Sequence, residues 1–115
     1  MKFARQGVFI FGGNRLFSSA NRTKDRIEKE SGVCDVVETD ATSSNSVKSL
    51  VDQCVQKYGR IHILVNNLGR NEPRCPASIS AETWNSQIDI NLNSLYLTCH
   101  HVLPLMESRT LAAWW

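Results

Sequence analysis

A chain of 115 residues, 42% hydrophobic and 21% charged, has the make-up of a globular protein and the length of one small domain. Its formal net charge of +2, with Lys and Arg scattered singly, supplies no basic field and speaks against a nucleic-acid role. No stretch approaches the ~18 apolar residues of a membrane helix, and Met1 to Phe11 lacks the long apolar core and cleavage pattern of a signal peptide.

In chain order, Val8 to Phe11 predicts a first strand, ended by Gly12 and Gly13. A polar helix is predicted from about Ala20 to Ser31, capped by Ser18 or Ser19 and stopped by Gly32. Only Ala20 and Ile27 are apolar there, so it should lie on the outside. Val33 to Glu38 predicts a second strand, leading to Asp40. From Ser44 the apolar positions Val47, Leu50, Val51, Cys54, Val55 and Tyr58 follow helical spacing, and Gly59 closes the helix.

Ile61-His62-Ile63-Leu64-Val65 then predicts a third strand buried on both faces, running into Asn66-Asn67-Leu68-Gly69. In parallel sheets ligands sit just past the carboxyl ends of such strands, so Asn66 to Gly69 stand where a cofactor would be. A loop over Arg70 to Ile79, with Pro73 and Pro76, leads to a long helix from near Ser80 that weakens at Pro104. Trp84, Ile88, Leu92, Leu95 and Cys99 share one face of it. Asn91 lies along this apolar stripe, and because an unpaired buried amide costs a few kcal/mol, on the order of 2–7, it should have a partner. Three strands alternating with three helices predict an α/β layered architecture around a parallel sheet.

Cys34, Cys54, Cys75 and Cys99 form no Cys-x-x-Cys pair, which argues against a zinc ribbon or a dense disulfide frame. A reducing, cytoplasmic setting is expected. His100 and His101 beside Cys99 do not suggest a metal site, since successive helix residues point about 100° apart.

The stretch ending Asn66-Asn67-Leu68-Gly69 resembles the short-chain dehydrogenase/reductase family, whose corresponding strand ends in Asn-Asn-Ala-Gly; Leu68 departs from it. Asp40-Ala41-Thr42 resembles the family's Asp-x-Thr/Ser. Tyr58-Gly59-Arg60-Ile61-His62-Ile63-Leu64 resembles its Tyr/Phe-Gly-x-Ile-Asp-x-Leu, and Trp84 to Asn91-Leu92-Asn93 its Trp-(x)6-Asn-(small) helix. The motifs stand in family order and cover roughly Gly7 to Met106.

The resemblance implies a Rossmann-like three-layer sheet, here incomplete, forming a partial NAD(P)-binding domain over residues 1–109 with a tail, 110–115, that stops resembling the family and looks like read-through. It also implies hydride transfer between a nicotinamide and a small-molecule carbonyl or alcohol. Two registers compete at the start. Phe11-Gly12-Gly13-Asn14-Arg15 could be the glycine-rich diphosphate loop, but its later glycines would fall on Leu16 and Ser18. Alternatively Ala4 to Gly7 ends the family's first helix, Val8 to Phe11 is its second strand, and Asn14 and Arg15 form the cofactor-discriminating loop. The second register spaces Asp40 naturally and is preferred; it leaves out the family's first strand and its glycine-rich loop.

In that register Arg15 suits a 2′-phosphate, through two charge-assisted bonds, so NADP is expected in preference to NAD; a solvated surface arginine is the alternative. The resemblance places Asp40 and Ala41 at the adenine, Asn67 and Leu68 at the adenosine, and Gly69 near a ribose. Asn66 is placed at the cofactor or against the adjacent strand. Asn91 matches the catalytic asparagine that disturbs its helix and holds a water in a proton relay, with a structural asparagine as the alternative. Tyr58 is followed at +4 by His62 and Tyr96 by His100, so no Tyr-x-x-x-Lys is present. The expectation is a truncated NADP-dependent family member without turnover. The alternative is a non-catalytic module that associates with a full-length relative, and homo-oligomerisation through the helix from Ser80 is also expected. Lacking the first strand, the strands at Val8 and Ile61 should each miss a neighbour.

Overall fold

The structure, a computed structural model, describes residues 2–15, 17–71 and 76–107. They form two compact units, divided in sequence between Asp40 and Ala41. The tail 110–115 and Pro73 and Cys75 lie outside the described residues.

The first unit holds α1 (Lys2–Arg5), β1 (Ile10–Asn14), α2 (Phe17–Lys29) and β2 (Cys34–Glu38). The strands pair in parallel, Ile10 opposite Cys34 and Asn14 opposite Glu38. β1 thus begins two residues later than predicted and runs through the two glycines instead of stopping at them. The ladder explains this: Gly12 and Gly13 face Val36 and Val37, and a Cβ on Gly12 would meet nothing closer than the Asp35 carbonyl oxygen at 3.9 Å. Gly12 and Gly13 are therefore strand residues and do not wrap into a loop, while Asn14 ends the strand and Arg15 follows it directly.

Ala20 and Ile27, the two apolar residues expected to anchor an outer helix, are both buried. Ile27 packs with Ala4 and Cys34, with Ile10 and Val36 partly covered around them. Arg5 and Glu30 join the ends of α1 and α2 through two bonds, Nε to Oε2 at 2.8 Å and Nη2 to Oε1 at 3.1 Å. That hydrogen bonding is the main reason the Glu30 carboxyl is held below its ordinary range.

α2 begins at Phe17, before the predicted Ala20, and ends at Lys29, before the predicted Ser31. Its exit also corrects the role of Gly32. The Gly32 N–H donates to the Ile27 carbonyl and the Ser31 N–H to the Glu28 carbonyl, both at 2.9 Å, the paired bonds of a Schellman motif. The left-handed position falls on Ser31, with φ 61, and not on the glycine. Gly32 is needed for space instead: a Cβ there would lie 2.7 Å from Ile27 Cγ2 and 3.1 Å from Ala4 Cβ. Ser31→Gly is expected to raise stability by about 0.5–1 kcal/mol, because relief of left-handed strain exceeds the added freedom of the unfolded chain. A higher urea midpoint at unchanged slope checks it.

The second unit holds α3 (Ser44–Tyr58), a 3-10 turn (Pro76–Ser78), α4 (Ala81–Ile88), a π-helical turn (Asp89–Asn93) and α5 (Ser94–Glu107). α3 matches its predicted bounds. Ser43 caps it by accepting from the Ser46 N–H, and Gly59, at φ 76, closes it with an N–H to the Val55 carbonyl at 2.7 Å. α3 packs on α5, and the buried side chains of the two are Val47, Val51, Ser94 and Val102.

Two expectations change here. The single long helix from Ser80 is interrupted by the π-turn over Asp89–Asn93, and α5 runs to Glu107 with Pro104, where weakening is expected, inside it. Trp84, Leu92 and Leu95 of the expected apolar stripe are exposed, as is Tyr96.

The third predicted strand is the larger correction. The α/β class with a parallel sheet holds, but among the described residues the sheet has two strands, and residues 61–66 carry no regular structure. Among the described residues nothing pairs with them, and Ile61 to Val65 make no backbone hydrogen bond. A strand needs a neighbour to supply its ladder. Without one, Ile63 and Val65 are 52% and 59% exposed instead of buried on both faces.

Candidate functional site

In the first unit the ladder brings three of the expected site residues to one edge. The Thr39 N–H donates to the Asn14 carbonyl at 3.0 Å, one step beyond the last strand pair. Thr39 is itself buried, its hydroxyl donating to the Val37 carbonyl at 3.2 Å. Asn14 and Arg15 at the end of β1, and Asp40 after β2, therefore stand side by side at the carboxyl ends of two parallel strands. Arg15 is exposed, and no described carboxylate pairs with it. Its guanidinium, with five donors in a rigid fork, fits a phosphoryl group at such an edge.

In the second unit Ala41 opens the turn before the Ser43 cap, and the segment Asn66 to Arg70 is fastened at both ends. At the first end the Thr98 hydroxyl donates to Asn66 Oδ1 at 2.6 Å, and Asn66 Nδ2 donates to Cys99 Sγ at 3.8 Å. At the other, Asn91 Oδ1 accepts the Arg70 N–H at 2.9 Å and Asn91 Nδ2 donates to the Arg70 carbonyl at 2.8 Å. Asn67, Leu68 and Gly69 lie exposed between the two fastenings. The bulk of Leu68 is accommodated at 43% exposure. A methyl on Gly69 would make an ordinary 3.5 Å contact with Asn91 Oδ1, so the protein itself does not require glycine there.

Asn91 has the partner its position demanded, although it is exposed and not buried; it also donates to the Gln87 carbonyl at 2.9 Å. It lies in the π-turn, where the Ser94 N–H reaches back five residues to the Asp89 carbonyl. The Ile90 carbonyl, which that N–H would bond in an α-helix, is taken instead by the Ser94 hydroxyl at 2.7 Å. This explains a fully buried serine. Thr98, Cys99, Ser94 and Arg70 were not singled out from the sequence as site residues; the small polar residues recurring along an otherwise apolar helix were the available signal.

Among the described residues no three His, Cys, Asp or Glu side chains are grouped so that they could hold a metal ion. His101 Nε2 meets the Ser44 hydroxyl at 2.9 Å, and the His100 ring stands edge-on to His101 and near Tyr96. Burial is the main cause that pushes the thiols of Cys34 and Cys54 above their ordinary value. No described helix is long and apolar enough to cross a membrane.

The first unit thus carries an arginine and an aspartate at a parallel edge, the second a fastened Asn-Asn-x-Gly turn, and the α/β class is that of a Rossmann-type segment. The sequence profile of the short chain dehydrogenases matches residues 1–112, and the chain belongs to that family. It is 37% identical over 112 residues to a protein of Streptomyces virginiae assigned as the ketoacyl reductase of a monensin polyketide synthase, covering 93% of this chain and 41% of that one. A short-chain dehydrogenase/reductase structure from Burkholderia xenovorans superposes with a TM-score of 0.90 at 33% identity, over 94% of this chain and 43% of that one. A metagenomic short-chain oxidoreductase solved in complex with NADP shares the fold, with a TM-score of 0.87 at 20% identity over 93% and 49% of the two chains. The chain thus spans less than half the length of these relatives.

Proposed function

We propose that residues 1–109 are the adenosine-binding part of an NADP-dependent oxidoreductase that moves a hydride between the nicotinamide and a small-molecule carbonyl or alcohol in the cytoplasm. The observation that carries this reading is the exposed Arg15, unpaired by any described carboxylate, beside Asp40 at the carboxyl edge of β1 and β2. Arg15 and Asn14 hold the 2′-phosphate, which favours NADP over NAD, and Asp40 and Ala41 receive the adenine. Asn67, Leu68 and Gly69 line the adenosine and ribose. Asn66 acts from behind, since its side chain is engaged by α5. Asn91 serves as the catalytic asparagine of the relay, through the π-turn it stabilises. The bound cofactor would supply the hydride. The residues of this chain hold no Tyr-x-x-x-Lys, so alone it binds without turnover.

NADPH at about 100 times its Kd should stabilise the protein by about 2.7 kcal/mol, a rise of several degrees in Tm. Arg15→Ala should weaken NADPH at least tenfold, given about 1.5–3 kcal/mol for a hydrogen bond to a charged group, and should leave NADH affinity unchanged. Absence of any NADPH shift in the unaltered protein would overturn the reading.

A second reading is favoured by the apolar side chains that α4, the π-turn and α5 leave in solvent, Trp84, Leu92, Leu95 and Tyr96. They suit self-association, or docking on a full-length relative as a non-catalytic module. Sedimentation of the protein alone and with such a relative separates the two.

A further inference from the structure

We infer that Thr98 is a positioning residue of the nucleotide site, acting through Asn66; the inference deepens the cofactor-binding reading above and rests on it. In a sheet, the ladder fixes where a strand ends and so where the following turn presents its backbone. Here Ile61 to Val65 have no ladder and no backbone hydrogen bond among the described residues. What stands immediately before Asn67 is a side-chain anchor. The Thr98 hydroxyl meets Asn66 Oδ1 at 2.6 Å and the Cys99 sulfur accepts from Asn66 Nδ2 at 3.8 Å, so two successive residues of α5 hold both ends of one amide and set its plane.

The hydroxyl had a local alternative. A threonine in a helix commonly turns its proton to a carbonyl three or four residues back, and the Leu95 carbonyl lies 3.0 Å away. One proton serves one acceptor well, and the shorter distance is to Asn66. The Cys99 sulfur is a weak acceptor at long range, so it cannot keep the amide in place without Thr98. At the far end of the turn Asn91 secures Arg70. Asn67, Leu68 and Gly69 are therefore a three-residue bridge, and Thr98 sets its upstream support. Without the hydroxyl the bridge is tethered at one end.

Thr98→Val keeps the branched shape and removes the hydroxyl; Thr98→Ser restores it. Backbone 15N order parameters at Asn67, Leu68 and Gly69, measured without nucleotide, should fall from near 0.85 to below about 0.6 in Thr98→Val and recover in Thr98→Ser, while those at Val47 and Val51 stay constant. In the same proteins NADPH should bind about five- to tenfold more weakly to Thr98→Val, the loss of about one hydrogen bond, and normally to Thr98→Ser. Order parameters unchanged in Thr98→Val would overturn the inference, as would lost order with unaltered NADPH affinity, or a serine variant that fails to recover. If the unaltered protein binds no NADPH, the functional reading fails separately, and the order parameters alone decide whether Thr98 supports the turn.

Discussion

Ile27→Ala is expected to destabilise the first unit by about 2–5 kcal/mol, the usual range for truncating a buried isoleucine where the surroundings collapse only in part. Ile27 is 3% exposed and sits in a cluster with Ala4 and Cys34, bordered by Ile10 and Val36. Those residues come from α1, β1, α2 and β2, so Ile27 belongs to a cluster that draws on all the elements of the first unit. Its loss should lower the urea midpoint strongly and also weaken NADPH binding, although Ile27 contacts no expected ligand group. A coupled measurement sharpens the test. Gly32→Ala should be destabilising alone, because the added Cβ falls 2.7 Å from Ile27 Cγ2. In an Ile27→Ala background that obstruction is gone, and the penalty of Gly32→Ala should shrink by about 0.5–3 kcal/mol, the range found for directly contacting pairs. Strict additivity of the two substitutions would mean that the contact carries no energy.

Local signals were legible in the sequence, and non-local ones were not. α3 was read residue for residue because a helical apolar period and a closing glycine both lie within the segment itself. β2 and the outer position of α2 followed from patterns of the same range. The α2 exit was misassigned by one residue because glycine is the usual left-handed residue, whereas here packing against Ile27 and Ala4 requires the glycine one position later. Ile61 to Asn66 read as a buried strand because its composition is that of one. Whether a strand forms depends on a partner, which periodicity does not report, and among the described residues none is there. The site followed the same division. Asn14, Arg15, Asp40, Asn66 to Gly69 and Asn91 could be named from motifs, and the need of Asn91 for a partner from its place on an apolar stripe. The partners themselves, Arg70 for Asn91 and Thr98 for Asn66, lie 21 and 32 residues away, and only the folded chain brings them into contact.

Asn91→Leu, a change of similar size, is expected to remove about 1.5–4.5 kcal/mol from the second unit, at about 0.5–1.5 kcal/mol for each of the bonds to the Arg70 N–H, the Arg70 carbonyl and the Gln87 carbonyl. The side chain closes a ring with Arg70 much as a neighbouring strand would, one bond given and one accepted. Where Ile61 to Val65 lack a ladder, this is backbone pairing supplied by a side chain. NADPH affinity should also fall at least tenfold, because Arg70 is the downstream support of the Asn67 to Gly69 bridge. Asn91→Asp separates the two halves of the ring. Its carboxylate still accepts the Arg70 N–H, but it places negative charge against the Arg70 and Gln87 carbonyl oxygens, which raises the folded-state pKa of the new group. A group so raised contributes stability below its unfolded pKa and loses it as pH rises through the folded value. Asn91→Asp should therefore lie closest to the parent protein below about pH 4, where an unfolded aspartate is protonated and can donate, and fall furthest behind at neutral pH. Asn91→Leu should show no such dependence relative to the parent. Parallel urea titrations of the three proteins across that range measure it, and a pH-independent deficit in Asn91→Asp would show that the donated bonds contribute nothing.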